Sequence, residues 1–142
     1  MTPKEIAVVD AKTALADIAQ SFGFVPDFLR DFPAEGLAGA WKEMRDVELN
    51  PSTAIQPKHK SLIGVGVAAQ IPCRYCVVAD TMFAKAGGAS DREIREAVAM
   101  AAIVRHWSTI LNGLQADKAT FKKDIERLVR EAKKKSASTA QR

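Results

Sequence analysis

The chain carries little reactive chemistry: two cysteines, two histidines and one tyrosine in 142 residues. Aromatic residues make up only 6%, and no basic stripe is interleaved with them, which speaks against direct nucleic-acid recognition. No uninterrupted apolar run reaches the roughly eighteen residues of a membrane span. The opening MTPKEIAVVDAKTALADIAQ places charges where a secretory signal needs an apolar stretch. The expectation is a cytoplasmic protein that engages neither nucleic acid nor membrane. Long β-branched runs are scarce, and alanine dominates the 47% hydrophobic content, so helices are favoured over sheet. The formal charge of +4 concentrates in the tail REAKKKSASTAQR, which reads as a solvated end on an otherwise balanced body.

What is present is a series of helical segments punctuated by proline and glycine. Ile6, Val9, Thr13, Ala16 and Ile18 predict a helix from about Pro3 to Gln20, ending near Gly23. VPDFLRDFP predicts a short turn of helix entered at Pro26, with Phe28, Leu29 and Phe32 as anchors. A further helix follows Pro33, carrying Leu37, Trp41, Met44 and Val47, and Asn50-Pro51 stops it. The segment from Pro57 runs apolar through SLIGVGVAAQ, which predicts a helix buried in the fold or at a subunit contact. Ser90 to Glu93 form a capping box that opens the longest helix, with Gly113 as its end. A last amphipathic helix is predicted over about Lys118 to Lys134, with fraying after Lys135.

Between these lies IPCRYCVVADTMFAKAGG, which holds both cysteines. Pro72 fits the first turn of a helix better than its interior, so Cys73 should stand at or next to a helix start, with the helix closing at Gly87-Gly88. Positions three apart share a helix face, and at a helix start such a pair can close a disulfide. The free amides there also favour the thiolate. In a reducing compartment the pair points to redox chemistry more than to a permanent staple, although two packed thiols remain the alternative. A zinc site is disfavoured, because one CxxC supplies two ligands and His59 and His106 are distant in sequence. No metal or other cofactor is expected.

PCRYCVVADTMFAKAGGASDREIREAVAMAA, with KHKSLIGVGVAAQ before it, resembles the alkylhydroperoxidase D (AhpD) and carboxymuconolactone decarboxylase family. The resemblance implies an all-α, AhpD-like bundle of about six to seven helices that assembles as a homo-oligomer, commonly a trimer or hexamer. On that basis residues 1–32 form an N-terminal helical extension, 33–114 the family domain, and 115–142 a C-terminal helix and basic tail. Redox members of the family reduce peroxides or disulfides through the CxxC pair, whereas its decarboxylase members generally lack that pair. The redox motif places a histidine four residues after the second cysteine and a glutamate twelve residues before the first, as a proton relay. This chain has Asp80 and Ser61 there.

Asp80 falls one turn beyond Cys76 and two beyond Cys73, so it should approach the thiols. At about 6 Å and an effective dielectric near 20, its ionised carboxylate would oppose a thiolate by roughly 3 kcal/mol. Buried and protonated, it would instead shuttle a proton. A third placement turns it towards solvent or a lysine. Ser61 can orient a water but is no acid or base near neutral pH. His106 either packs or caps, or reaches the dithiol from a facing helix, and Tyr75 offers a hydroxyl between the cysteines.

The candidate catalytic residues are therefore Cys73, Cys76, Asp80, Ser61 and His106. The favoured function is a thiol–disulfide oxidoreductase of peroxidase type in antioxidant defence. Its partners would be a small-molecule peroxide or disulfide and an external dithiol reductant. The second reading is a structural or binding oligomer, at most a redox sensor, with the relay lost. A cofactor-free decarboxylase is disfavoured for want of a second acid–base pair.

Overall fold

Asp10 and Thr13 fix where the first helix begins. The Asp10 carboxylate accepts the Thr13 N–H at 2.8 Å and the Thr13 hydroxyl accepts the Asp10 N–H at 3.0 Å, so two amides that a helix start leaves orphaned are satisfied reciprocally. Helix α1 (Ala11–Phe22) ends at Gly23, whose φ of 79° is the left-handed conformation that closes helices. The computed structural model describes residues 6–139. The sequence pattern started this helix at Pro3; that residue lies outside the described ones, and residues 6–9 are not helical. The apolar rhythm misled because an extended lead-in also carries apolar residues: Val8 is buried while Val9 faces outward.

Helix α2 (Asp27–Arg30) follows Pro26, and α3 (Ala34–Glu43) follows Pro33. The chain then widens into a π-helical turn over Met44–Glu48 before Asn50-Pro51 ends it. Val8, Ala14, Ile18, Leu29, Leu37 and Trp41 make the core of this region. The Phe22 ring meets Trp41 edge-on at 5.3 Å. Asp17, the buried charged residue of this core, accepts the Trp41 indole N–H at 2.7 Å and the Arg45 guanidinium at 2.9 Å. Of the three anchors expected after Pro26, only Leu29 is buried; Phe28 and Phe32 are exposed.

Helix α4 (Pro57–Gln70) has proline in its first turn, where the missing N–H costs nothing. After Ile71-Pro72 the chain turns back into α5 (Arg74–Ala86). Asp80 lies against Gly64 and Gly87 against Lys58. Numbers rise along one helix as they fall along the other, the register of an antiparallel hairpin. Burial of α4 is narrower than its composition implied. Val65 and Ala68 are buried, whereas Ile63, Val67 and Ile71 are more than half exposed.

Gly88, at φ 87°, makes the left-handed turn to α6 (Asp91–Gly113). The Glu93 carboxylate accepts the Ser90 N–H at 2.7 Å and the Ser90 hydroxyl accepts the Glu93 N–H at 3.2 Å, the expected capping box. These bonds and the Lys58 ammonium at 2.9 Å hold the Glu93 carboxyl down to about 2, the Ser90 amide contributing most.

The chain divides after Val98 into two compact units. In the second, α6 runs to Gly113, Gln115 makes a left-handed turn at φ 51°, and Asp117 accepts the Thr120 N–H at 2.8 Å to cap α7 (Lys118–Thr139). This helix continues past the expected fraying point at Lys135. No glycine or proline interrupts it, and Lys134 pairs with Glu131 in its last turns. The described residues hold seven α-helices and no strand, as an all-α bundle requires. Among them no helix is long and apolar enough to cross a membrane.

Candidate active site

The site is built on the start of α5. Cys73 is the N-cap residue, in extended backbone, and its Sγ accepts the Cys76 N–H at 3.1 Å. Cys73 and Cys76 are joined by a disulfide across 5.3 Å between their Cα atoms. Pro72 explains the position: without an N–H it cannot extend α4, and the next residue becomes the cap. With the bridge open, the same amides would stabilise a thiolate.

Cys76 opens onto a cavity of about 810 Å³. Four phenylalanines, Phe22, Phe24, Phe28 and Phe83, supply most of its apolar wall with Met44, Pro26 and Ala79. Its polar groups are Tyr75, Cys76, Asp80 and Glu48. The Arg74 guanidinium lies over the Tyr75 ring at 5.3 Å. All of these residues belong to the first unit.

Asp80 sits one helical turn after Cys76. Its carboxyl rests on the backbone of α4 at Gly64, where a Cβ would fall 2.4 Å from Oδ1. Burial raises its carboxyl above the ordinary aspartate range, because the ionised form gives up hydration. Glu48, the last residue of the π-helical turn, is exposed overall, yet partial burial of its carboxyl and then the charge of Asp80 raise it as well, with Lys60 acting in the opposite direction. The Lys60 ammonium donates to the carbonyls of Val47 and Asn50, the latter at 2.8 Å, and so ties the end of that turn to α4.

The five residues singled out from sequence are distributed as follows. Cys76 and Asp80 lie on α5 with Cys73 as its cap, and Cys76 and Asp80 are both in the cavity wall. Ser61 is half-buried on α4, one turn before Gly64, and is not part of that wall. His106 belongs to the second unit, where its ring meets Trp107 edge-on at 5.3 Å. Among the described residues, no group of three or more His, Cys, Asp or Glu is placed to hold a metal ion.

Glu48, Gly64 and the phenylalanine wall were not anticipated. The aromatic cluster had a signal, since FGFVPDF packs three phenylalanines into seven residues. Glu48 had none, being one acid among several in KEMRDVEL.

A model of the carboxymuconolactone decarboxylase family matches residues 35–119, more than half of the chain. The chain belongs to this family. The crystal structure of the alkylhydroperoxidase AhpD core from Rhodospirillum rubrum ATCC 11170 superposes with a TM-score of 0.65 at 24% identity, covering 78% of this chain and 85% of that one. That similarity establishes an AhpD-like fold for this member of the carboxymuconolactone decarboxylase family. Comparison with curated proteins gives no match.

Proposed function

We propose that the protein is a thiol–disulfide oxidoreductase of alkylhydroperoxidase type that reduces peroxides in antioxidant defence. One observation carries the reading: the Cys73–Cys76 pair stands at a helix start, with Cys76 in the wall of an apolar cavity. Cys76 is then the thiol that meets the peroxide and Cys73 the one that resolves it. The phenylalanine wall suits the organic part of a hydroperoxide.

In the reduced protein the Cys76 thiolate attacks the terminal peroxide oxygen; an S–O bond forms as the O–O bond breaks, and the alkoxide takes a proton and leaves as the alcohol. Asp80, one turn after Cys76 in the same cavity wall, is the acid assigned to that proton. The Cys73 thiol then attacks the Cys76 sulfenic acid: an S–S bond forms as the S–O bond breaks, and the hydroxide leaves as water with the proton that the Cys73 thiol gives up. An external dithiol returns both thiols by exchange and is itself oxidised to a disulfide.

Peroxide-driven thiol loss in the reduced protein tests this, with cumene hydroperoxide as the oxidant. Wild type should lose both thiols together to the disulfide. Cys73→Ser should stop at a sulfenic acid that dimedone traps on Cys76, and Cys76→Ser should react no faster than a free cysteine. Wild-type loss at the rate of a free thiol would sink the reading and favour the structural oligomer or redox sensor.

The protein is further proposed to act as a homo-oligomer, a trimer or hexamer. In α6 and α7, Ile103, Trp107, Phe121 and Leu128 are all more than two-fifths exposed, and no residue of α6 is buried. Sedimentation equilibrium is expected to give a multiple of the 15.4 kDa protomer mass. A single-protomer mass at micromolar concentration would overturn it.

A further inference from the structure

Residues 22–28, FGFVPDF, lie outside the residues 35–119 that the family model matches, yet they supply Phe22, Phe24, Pro26 and Phe28 to the cavity that Cys76 opens onto. The segment is held from behind. Leu29 is buried in the core of the first helices, and Val25 packs against that core. Gly23 turns the chain at φ 79°, and the Pro26 carbonyl accepts the Leu29 and Arg30 N–H groups, each at 3.0 Å. The Arg30 guanidinium donates to the Asp27 carboxylate at 2.9 Å and to the Val25 carbonyl at 3.0 Å, which ties the turn together. While these anchors face the core, Phe24 is left 63% and Phe28 65% exposed. Rings fixed in an open apolar wall have already lost the freedom that binding a ligand would cost them.

We propose that this segment is the specificity element of the site: Phe24 and Phe28 hold the organic group of a bulky, uncharged hydroperoxide beside Cys76, and the cavity rejects one whose organic group carries a carboxylate. The reaction rests on the peroxidase reading above; the binding preference does not.

Size and charge both point this way. A volume of about 810 Å³ falls within the roughly 300–1,000 Å³ of small-molecule pockets. Hydrogen peroxide would leave most of it unfilled and gain nothing from the rings, whereas an aryl or branched alkyl group buries apolar surface against them. Among the described residues of the wall there is no lysine, arginine or histidine, and its acids are Glu48 and Asp80. The cations nearest in sequence are engaged elsewhere. Arg30 is held as above, Arg45 pairs with Asp17 and Asp46, Lys60 donates to the Val47 and Asn50 carbonyls, and Arg74 lies over the outer Tyr75 ring. A carboxylate entering this space would shed water and meet no counter-charge, a cost that an uncharged group escapes.

The first test is the ratio of second-order rate constants for thiol loss with cumene hydroperoxide and with hydrogen peroxide. The wild type should favour cumene hydroperoxide, and Phe24→Ala and Phe28→Ala should each lower the ratio on the order of tenfold. Phe32→Ala removes a phenylalanine of the same region that is outside the wall, and should leave the ratio in place. An unchanged ratio in both wall variants, or an equal fall in Phe32→Ala, would overturn the proposal.

The second test needs no turnover. 2-Phenyl-2-propanol, the alcohol left by cumene hydroperoxide, and its para-carboxylate are titrated into the disulfide form and followed by aromatic NMR. The alcohol should shift the Phe24 and Phe28 ring resonances, and the carboxylate should bind at least about tenfold more weakly. Equal binding of the two, or no shift at these rings, would overturn the proposal. A wild type that ignores both peroxides while the alcohol binds at Phe24 and Phe28 would defeat the peroxidase reading and uphold the segment's preference for uncharged ligands.

Discussion

Replacing Trp41 by alanine is expected to cost about 3–5 kcal/mol of stability, the range for a fully buried large aromatic. Trp41 has no exposed surface, and two independent interactions converge on it. Its ring takes the edge of Phe22, and its indole N–H donates to Asp17 at 2.7 Å. Truncation removes the packed volume and leaves the buried Asp17 carboxylate to the Arg45 guanidinium at 2.9 Å. Removing one partner of a buried polar group costs more than the lost bond, because the other stays desolvated. A domain of ordinary stability has only about 5–15 kcal/mol in total, so this one change consumes a large part of it. Trp41→Phe separates the two contributions. It keeps most of the apolar contact and loses the N–H donor, so it should cost about 1–3 kcal/mol. Equilibrium urea unfolding followed by circular dichroism measures both. A loss under about 1 kcal/mol for Trp41→Ala would mean that the first helices are not organised around this ring.

That cluster was legible from sequence because Leu37 and Trp41 recur at helical spacing and the flanking prolines mark the ends. The same punctuation located α5: Pro72 forces a break, so Cys73 becomes the cap, and Gly88 with the Ser90–Glu93 box fixes the next start. Side chains that bond their own backbone carry their instruction within four residues, which a sequence displays directly.

Glu48 was out of reach for the opposite reason. Its place in the cavity follows from a π-helical turn, which adds a residue to the turn and swings the following side chains off the face that α-helical spacing assigns them. Phe28 and Phe32 show a second limit. Periodicity identifies which residues are apolar together, not whether they close on a core or on a cavity, and Phe28 went to the cavity wall. The same holds for α6 and α7, whose apolar positions are exposed in the single chain.

Gly64 turns out to be as informative as the cysteines, and its substitution carries the second large effect. A methyl group there would lie 2.4, 2.5 and 2.6 Å from Oδ1, Cγ and Oδ2 of Asp80, all closer than real contacts allow. Gly64→Ala therefore requires the carboxyl to move by about 1 Å, and displacements of that size in a catalytic group can cost on the order of 10²-fold in rate. Stability should respond differently. Alanine in a helix interior is favoured over glycine by about 0.5–1 kcal/mol, which offsets part of the steric cost. Gly64→Ala is thus expected to slow peroxide-driven thiol oxidation far more than it destabilises the fold, and to bring the Asp80 titration midpoint down as the carboxyl leaves its buried seat. Combining it with Asp80→Ala removes the clash, so the double variant should be more stable than the sum of the single changes allows, a coupling between neighbours that a double-mutant cycle reads directly. If Gly64→Ala leaves both the Asp80 midpoint and the oxidation rate unchanged, the carboxyl has a second seat of equal quality and the close approach to α4 has no part in the chemistry. If the rate falls while the midpoint stays, Gly64 matters to the packing of α4 on α5 rather than to the titration of Asp80.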